Sequence, residues 1–219
     1  GPESASPPAD RRGALDVARS VADGLDAVAE AQRVFADAFA LGTTDGTVER
    51  YERIVDRLRE APPFVDDAAS HASAARSAVP ERAGASTGER PRFGVGRCLT
   101  LFDALLSGYR TYAAATTAFY RGDVAAARYQ NSLEQPAEAR SWCEEALGHY
   151  AESKRRYCEG VPAVGRTTGR YFSVRTCVAN RRAEYFQQYA VGYTHLLNDR
   201  REAARDAFDR GDELIDQQC

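Results

Sequence analysis

Apolar residues recur along most of the chain at the three- and four-residue steps of an amphipathic helix. Nowhere do they alternate with polar ones between turn signals, as a half-buried strand would require. A first helix is predicted over 12–41, with Leu15, Ala18, Ala22, Leu25, Val28 or Ala29, Phe35 and Phe39 on one face. The Gly42–Gly46 stretch breaks it. Val48, Tyr51, Val55 and Leu58 mark a second helix over 47–60, and Pro62-Pro63 end it and start an Ala/Ser-rich third, over 63–79. Residues 80–92, PERAGASTGERPR, have no periodicity and read as a linker. Beyond it, Leu101 or Phe102, Leu105, Tyr109, Tyr112, Thr116 and Phe119 predict a helix over 95–120. Gly122-Asp123 is read as its end, and Val124 to Leu133 as another helix. Pro136 opens a helix over 137–159, a Gly/Pro loop follows, and a further helix begins near Tyr171.

The last 34 or so residues carry the clearest pairing. Tyr185, Tyr189, Gly192 and Leu196 recur before Asn198-Asp199; Ala203, Ala204, Ala207, Phe208, Gly211 and Ile215 recur after it. Small residues at Gly192 and Ala204 let two backbones approach, and Phe208 lies on the face that would wedge into the crossing. Gly192, Ala204, Phe208 and Gly211 stand in the order and spacing of a small, small, bulky, small pattern. In this, 183–216 resembles one unit of the tetratricopeptide family. The phrase AFYRGDVAAARYQ is similar to that family's inter-helix turn. The two turn signals lie 76 residues apart, so any repeats are irregular. The fold class expected is all-α: irregular antiparallel helical hairpins, tetratricopeptide-like, about seven helices. The expected organisation is a disordered tail over 1–11, N-terminal helices over 12–79 packed on the rest, the linker, and a helical-hairpin part over 93–219.

Composition narrows the function. The chain has 219 residues, 43% hydrophobic and 28% charged, with a net charge of −3. These values suit one soluble globular domain and argue against a nucleic-acid-coating protein. Charge is uneven, however. Residues 1–90 carry 11 basic and 16 acidic side chains (−5), residues 91–182 carry 14 and 8 (+6), and residues 183–219 carry 4 and 8 (−4), which sum to −3. A basic middle between acidic ends is either an internal match or a binding face. No apolar run approaches the roughly 20 residues of a membrane span.

Candidate chemistry is sparse. Five cysteines with irregular spacing suggest reduced thiols and a cytoplasmic location; Cys158 and Cys177, flanking the Gly/Pro loop, are a possible disulfide pair. No zinc spacing occurs, and neither a nucleophile elbow nor a phosphate loop is present. No catalytic residue, metal or cofactor is therefore implied, and a non-enzyme is expected. Glu144, Glu145, Glu152 and Glu159 fall at helical spacing from Arg140, Arg155 and Arg156, which suffices for solvated ion pairs.

The remaining candidate is the interleaving of arginines and aromatics from Tyr150 to Tyr189. Guanidinium groups pair with carboxylate or phosphate, and rings stack on bases or cations. Arg175, Arg182 and Tyr189 share one helix face at sevenfold spacing. With Arg170, Arg181 and Tyr185 they form the candidate partner or anion site. The alternative is that the rings are core and the arginines lie over them, paired with acidic segments. The tetratricopeptide resemblance implies a concave surface gripping a partner segment, hence a protein–protein interaction scaffold. An RNA or polyanion binder using 150–189, and a small-molecule sensor with a pocket in the bundle, are the other function classes. A homodimer through 12–41 is a further possible partnership.

Overall fold

The computed structural model describes residues 9–42, 46–78, 95–161, 166–215, 217 and 219. Seven helices follow in order: α1 (Ala9–Ala40), α2 (Val48–Leu58), α3 (Ala61–Ser77), α4 (Val95–Asn131), α5 (Pro136–Gly160), α6 (Arg166–Leu197) and α7 (Arg201–Ile215). The described residues contain no strand, so the all-α class holds. The linker 80–92 and residues 1–8 of the expected tail lie outside the described residues, whereas Ala9–Arg11 belong to α1 rather than to the tail.

Local chemistry places most of the breaks where the sequence does. Pro62-Pro63 stand in the first turn of α3 and Pro136 opens α5, positions where a missing N–H costs nothing. Between α6 and α7, Asp199 adopts φ 53°, a left-handed conformation that aspartate tolerates and that reverses the chain in three residues. Two boundaries differ from expectation. The helix predicted to begin near Tyr171 starts at Arg166. More consequentially, α4 does not end at Gly122-Asp123 but runs unbroken to Asn131, roughly 55 Å long. Gly122 is there for packing: a Cβ at this position would lie 2.7 Å from the Tyr150 ring of α5, which rests on the bare backbone.

α4 is the spine that joins two cores. Its first half closes a core with α1, α2 and α3, built from Phe35, Ile54, Leu58, Val65, Phe102 and Leu106. Its second half closes another with α5 and α6, built from Phe119, Tyr129, Cys143, Tyr150, Phe186 and Tyr193. Ile54, Leu58 and Val65 are fully buried, each contributing about 1.5–3 kcal/mol relative to exposure. α2 and α3 both pack on α4, so the N-terminal helices are attached to the rest through it.

In α1 the predicted face turns inward in the C-terminal half, at Val28 and Phe35, but not in the N-terminal half. Val17, Gly24, Val28, Ala31, Phe35 and Ala38 are buried, while Leu15, Ala18, Ala22 and Leu25 are exposed. In α4 likewise, Phe102 and Leu106 are buried, whereas Leu101 and Leu105 are exposed.

At the other end, the α6–α7 crossing is packed as its small residues anticipate. The Phe208 ring lies against Gly192, inside the space a Cβ would need, and Ala204 and Ala207 are buried. Gly192→Ala is expected to destabilise by about 1–2 kcal/mol in urea denaturation. The displaced ring costs about 1–3 kcal/mol and the gain in helix propensity returns up to about 1 kcal/mol. A variant as stable as the parent would mean that Phe208 can move away freely.

The C-terminal end is tied back covalently. Cys177 of α6 and Cys219 form a disulfide with Cα atoms 5.9 Å apart. Neither fully reduced thiols nor a Cys158–Cys177 pair describes the molecule: Cys158 is free and exposed, as is Cys98, and Cys143 is free and buried. Cys177 lies about three turns into α6, where the returning α7 delivers residue 219 to it.

Candidate functional site

On one side of α4 an aromatic cluster joins α1 and α2 to the N-terminal half of α6. It is built on Tyr112 and Tyr120 of α4, which share a face, with Thr116 buried between them and hydrogen-bonded to the Tyr157 hydroxyl at 2.7 Å. Phe39 of α1 stands 6.2 Å from the Tyr120 ring and 6.5 Å from that of Tyr112, and Tyr51 of α2 stands 6.4 Å from Tyr120. From the other side, the Tyr171 ring of α6 meets Tyr112 at 6.0 Å. These rings are half-buried, with Tyr171 the most open. Burial pushes the phenols of Tyr51, Tyr112 and Tyr120 above the ordinary tyrosine value, so they are neutral donors and acceptors.

Two guanidinium groups of α6 border this cluster. Arg175 donates from Nε to the Tyr171 hydroxyl at 2.9 Å and lies 5.2 Å over its ring. It is half-buried and forms no ion pair with any described residue. Arg182, one heptad on, is committed. It donates to the buried carboxylate of Asp123 and lies 4.7 Å over the Phe119 ring. Tyr150 completes the cluster, donating its hydroxyl to Asp123 Oδ1 at 2.6 Å. Burial raises the Asp123 pKa above the usual carboxylate value, although Arg182 and Tyr150 pull it the other way. For Arg182 burial works against the charge, but Asp123, Tyr150 and Tyr51 together outweigh it and the cation is held more firmly than usual.

The other four candidate residues do not join the cluster as free contacts. Arg170 is exposed and Arg181 half-buried, one residue round the helix from Arg182. Tyr185 stacks on Tyr189 at 4.3 Å and meets Phe186 edge-on. Tyr189 packs on Phe208 at 5.0 Å and donates its hydroxyl to Asp212 of α7 at 2.7 Å. Both tyrosines serve the α6–α7 junction. Of the sevenfold stripe, Arg182 reaches Asp123 of α4 and Tyr189 meets Tyr129 of α4 at 5.8 Å, whereas Arg175 contacts Tyr171 on its own helix.

Sequence reasoning missed Asp123, Tyr51 and Tyr120. Gly122-Asp123 looks like a turn, and only the pairing of α4 with α5 and α6 shows it to be a packed, charged knot. Tyr51 was visible as a helix-face residue and Tyr120 was passed over for Phe119, and no local signal says that their helices meet.

A hollow of about 380 Å³ lies on another face of α4, lined by Val65, Ala113 and Ala118 with Arg59, Arg110 and Arg121. Its charges cancel only in part, four arginines standing against Asp66 and Glu152. Arg110 pairs with Asp66 at 3.0 Å, Arg156 with Glu152 at 2.6 Å and, further along, Arg128 with Glu52 at 2.5 Å. Along α5 the expected solvated pairs are present: Arg140–Glu144, Arg155–Glu152 and Arg155–Glu159. Hydrogen bonds from Arg155 and then Arg156 hold Glu152 down at about 2, although it stands in solvent. Among the described residues no three His, Cys, Asp or Glu side chains cluster in a way that could hold a metal ion, and no helix is long and apolar enough to cross a membrane.

No family model, curated protein or solved structure matches the chain.

Proposed function

We propose that the protein is a non-catalytic interaction scaffold of tetratricopeptide-like helical hairpins, whose aromatic cluster over α4 holds an acidic segment of a protein partner. The observation that carries this reading is Arg175. A half-buried guanidinium beside a cluster of partly exposed rings, hydrogen-bonded to a phenol at 2.9 Å and paired with no carboxylate among the described residues, is suited to an incoming one. The surrounding phenols of Tyr51, Tyr112, Tyr120 and Tyr171 supply apolar area with polar tips, the composition that favours binding hot spots.

A polyanion has less to hold. Arg155, Arg156 and Arg182 of the basic middle are engaged by Glu152, Glu159 and Asp123. A homodimer through 12–41 belongs to the same scaffold reading and concerns another surface.

The test is selection of a displayed random-peptide library on the immobilised protein, followed by titration of a labelled selected peptide. The expected peptides combine Asp or Glu with aromatic or aliphatic residues. Arg175→Ala is expected to weaken binding about tenfold or more, the worth of a charge-assisted hydrogen bond. Arg121→Ala, on another face of α4, is expected to leave binding unchanged. Failure to select such peptides would sink the reading. So would preferential binding of an RNA oligonucleotide with steep salt dependence.

A further inference from the structure

α1 carries two apolar stripes, and only one is used. The first, Val17, Val21, Gly24, Val28, Ala31, Phe35 and Ala38, faces α3 and α4; Phe102 of α4 lies directly on Gly24. The second, Leu15, Ala18, Ala22, Leu25 and Ala29, advances by the same alternating three- and four-residue steps, which is the seam of a two-helix coiled coil. It faces solvent: Leu15 is 68% and Leu25 48% exposed, and Ala18 and Ala22 are open as well. Leu101 and Leu105, near Phe102 in sequence, are also 59% and 39% exposed.

The charges flanking this second seam indicate its occupant. Arg19 follows Ala18 and Asp26 follows Leu25, one heptad apart on the same edge. Both are exposed, and neither forms an ion pair among the described residues. When a second α1 lies antiparallel across a twofold axis between residues 22 and 25, Ala22 meets the second copy's Leu25, and Ala18 meets its Ala29. The two central layers then set a large residue against a small one, and the Ala18–Ala29 layers beside them are small on small. In that register Arg19 of each copy comes beside Asp26 of the other, giving two reciprocal ion pairs from one patch, as an isologous interface requires. A parallel pairing would instead set Arg19 and Asp26 beside no opposite charge.

We infer that the protein forms an antiparallel homodimer through the outer face of α1, with Leu15, Ala22 and Leu25 in the seam and reciprocal Arg19–Asp26 pairs at its edges. The inference deepens the dimer part of the scaffold reading and does not involve the aromatic cluster.

Sedimentation equilibrium over a dilution series tests it, with far-UV circular dichroism to confirm that each variant keeps its helices. The wild type is expected to dimerise reversibly and Leu25→Glu to be monomeric throughout. Arg19→Asp and Asp26→Arg should each weaken the dimer about tenfold, since each breaks two partly exposed pairs and creates two like-charge contacts. The doubly reversed Arg19→Asp, Asp26→Arg protein should return close to wild type. A monomeric wild type overturns the inference. A dimer indifferent to Leu25→Glu does so as well, and so does a double reversal that adds the two losses instead of cancelling them. None of these results bears on peptide binding at the aromatic cluster, which Arg175→Ala reads separately.

Discussion

Replacing Arg182 by methionine is expected to lower stability by about 3 kcal/mol at neutral pH. That is the low end of the cost of breaking a buried ion pair, since the arginine is itself partly open to solvent. Asp123 is only 7% exposed at its side chain, against 37% for Arg182. Methionine keeps an apolar stem over Phe119 but leaves the carboxylate with the Tyr150 hydroxyl as its one remaining strong donor. The penalty has a pH signature. A carboxyl whose folded pKa is raised, as that of Asp123 already is through burial, binds its proton more tightly folded than unfolded. It therefore favours the folded state at acid pH and loses that contribution as pH rises through the folded value. Removing Arg182 raises that value further, so the deficit is expected to be small at pH ~5 and larger at pH ~8. Urea denaturation at the two pH values measures it. Equal deficits would show that no carboxylate is stranded. Adding Asp123→Asn to Arg182→Met should recover most of the loss, because an amide can accept from Tyr150 without carrying a charge.

The second large effect is expected at the C-terminus. Cys177 and Cys219 are 42 residues apart in sequence, and their bond removes the freedom of that whole loop from the unfolded chain. On the loop-entropy account, Cys219→Ser should cost about 2–4 kcal/mol. Urea melts of the wild type with and without reductant provide the check. The reduced wild type should coincide with Cys219→Ser, and the variant should be insensitive to reductant. Thiol titration of the oxidised protein in denaturant should count only Cys98, Cys143 and Cys158. Five titratable thiols would remove the bond and the prediction with it.

Much of the architecture is written locally. Helical periodicity without alternation dictates an all-α chain, because each apolar stripe demands a partner at the 3.6-residue period and none exists at period two. Pro62-Pro63, Pro136 and Asn198-Asp199 act through their own backbone chemistry, so these breaks could be placed from neighbouring residues alone. The packing of Phe208 on Gly192 was legible for a related reason: the two helices are consecutive, and a short turn leaves them few ways to meet.

What stayed hidden depends on helices distant in the chain. Gly122-Asp123 has the composition of a turn, yet the same two residues permit a close ring contact and a buried carboxylate; only the arrival of Tyr150 and Arg182 distinguishes the two uses. α1 has two apolar stripes of similar quality, and the sequence does not say which turns inward until α3 and α4 cover one of them. Of the six arginines and tyrosines singled out in α6, the docking of α7 takes Tyr185 and Tyr189 into its junction, and the packing on α4 commits Arg182 to Asp123. Arg175 is left beside the aromatic cluster. The pattern of residues thus determined the class of fold, its helices and most of its turns, since those follow from short-range backbone preferences and periodicity. Which faces are covered, which cysteines meet and which guanidinium remains available were decided only by the tertiary structure, because each is a contact between segments whose meeting no local preference encodes.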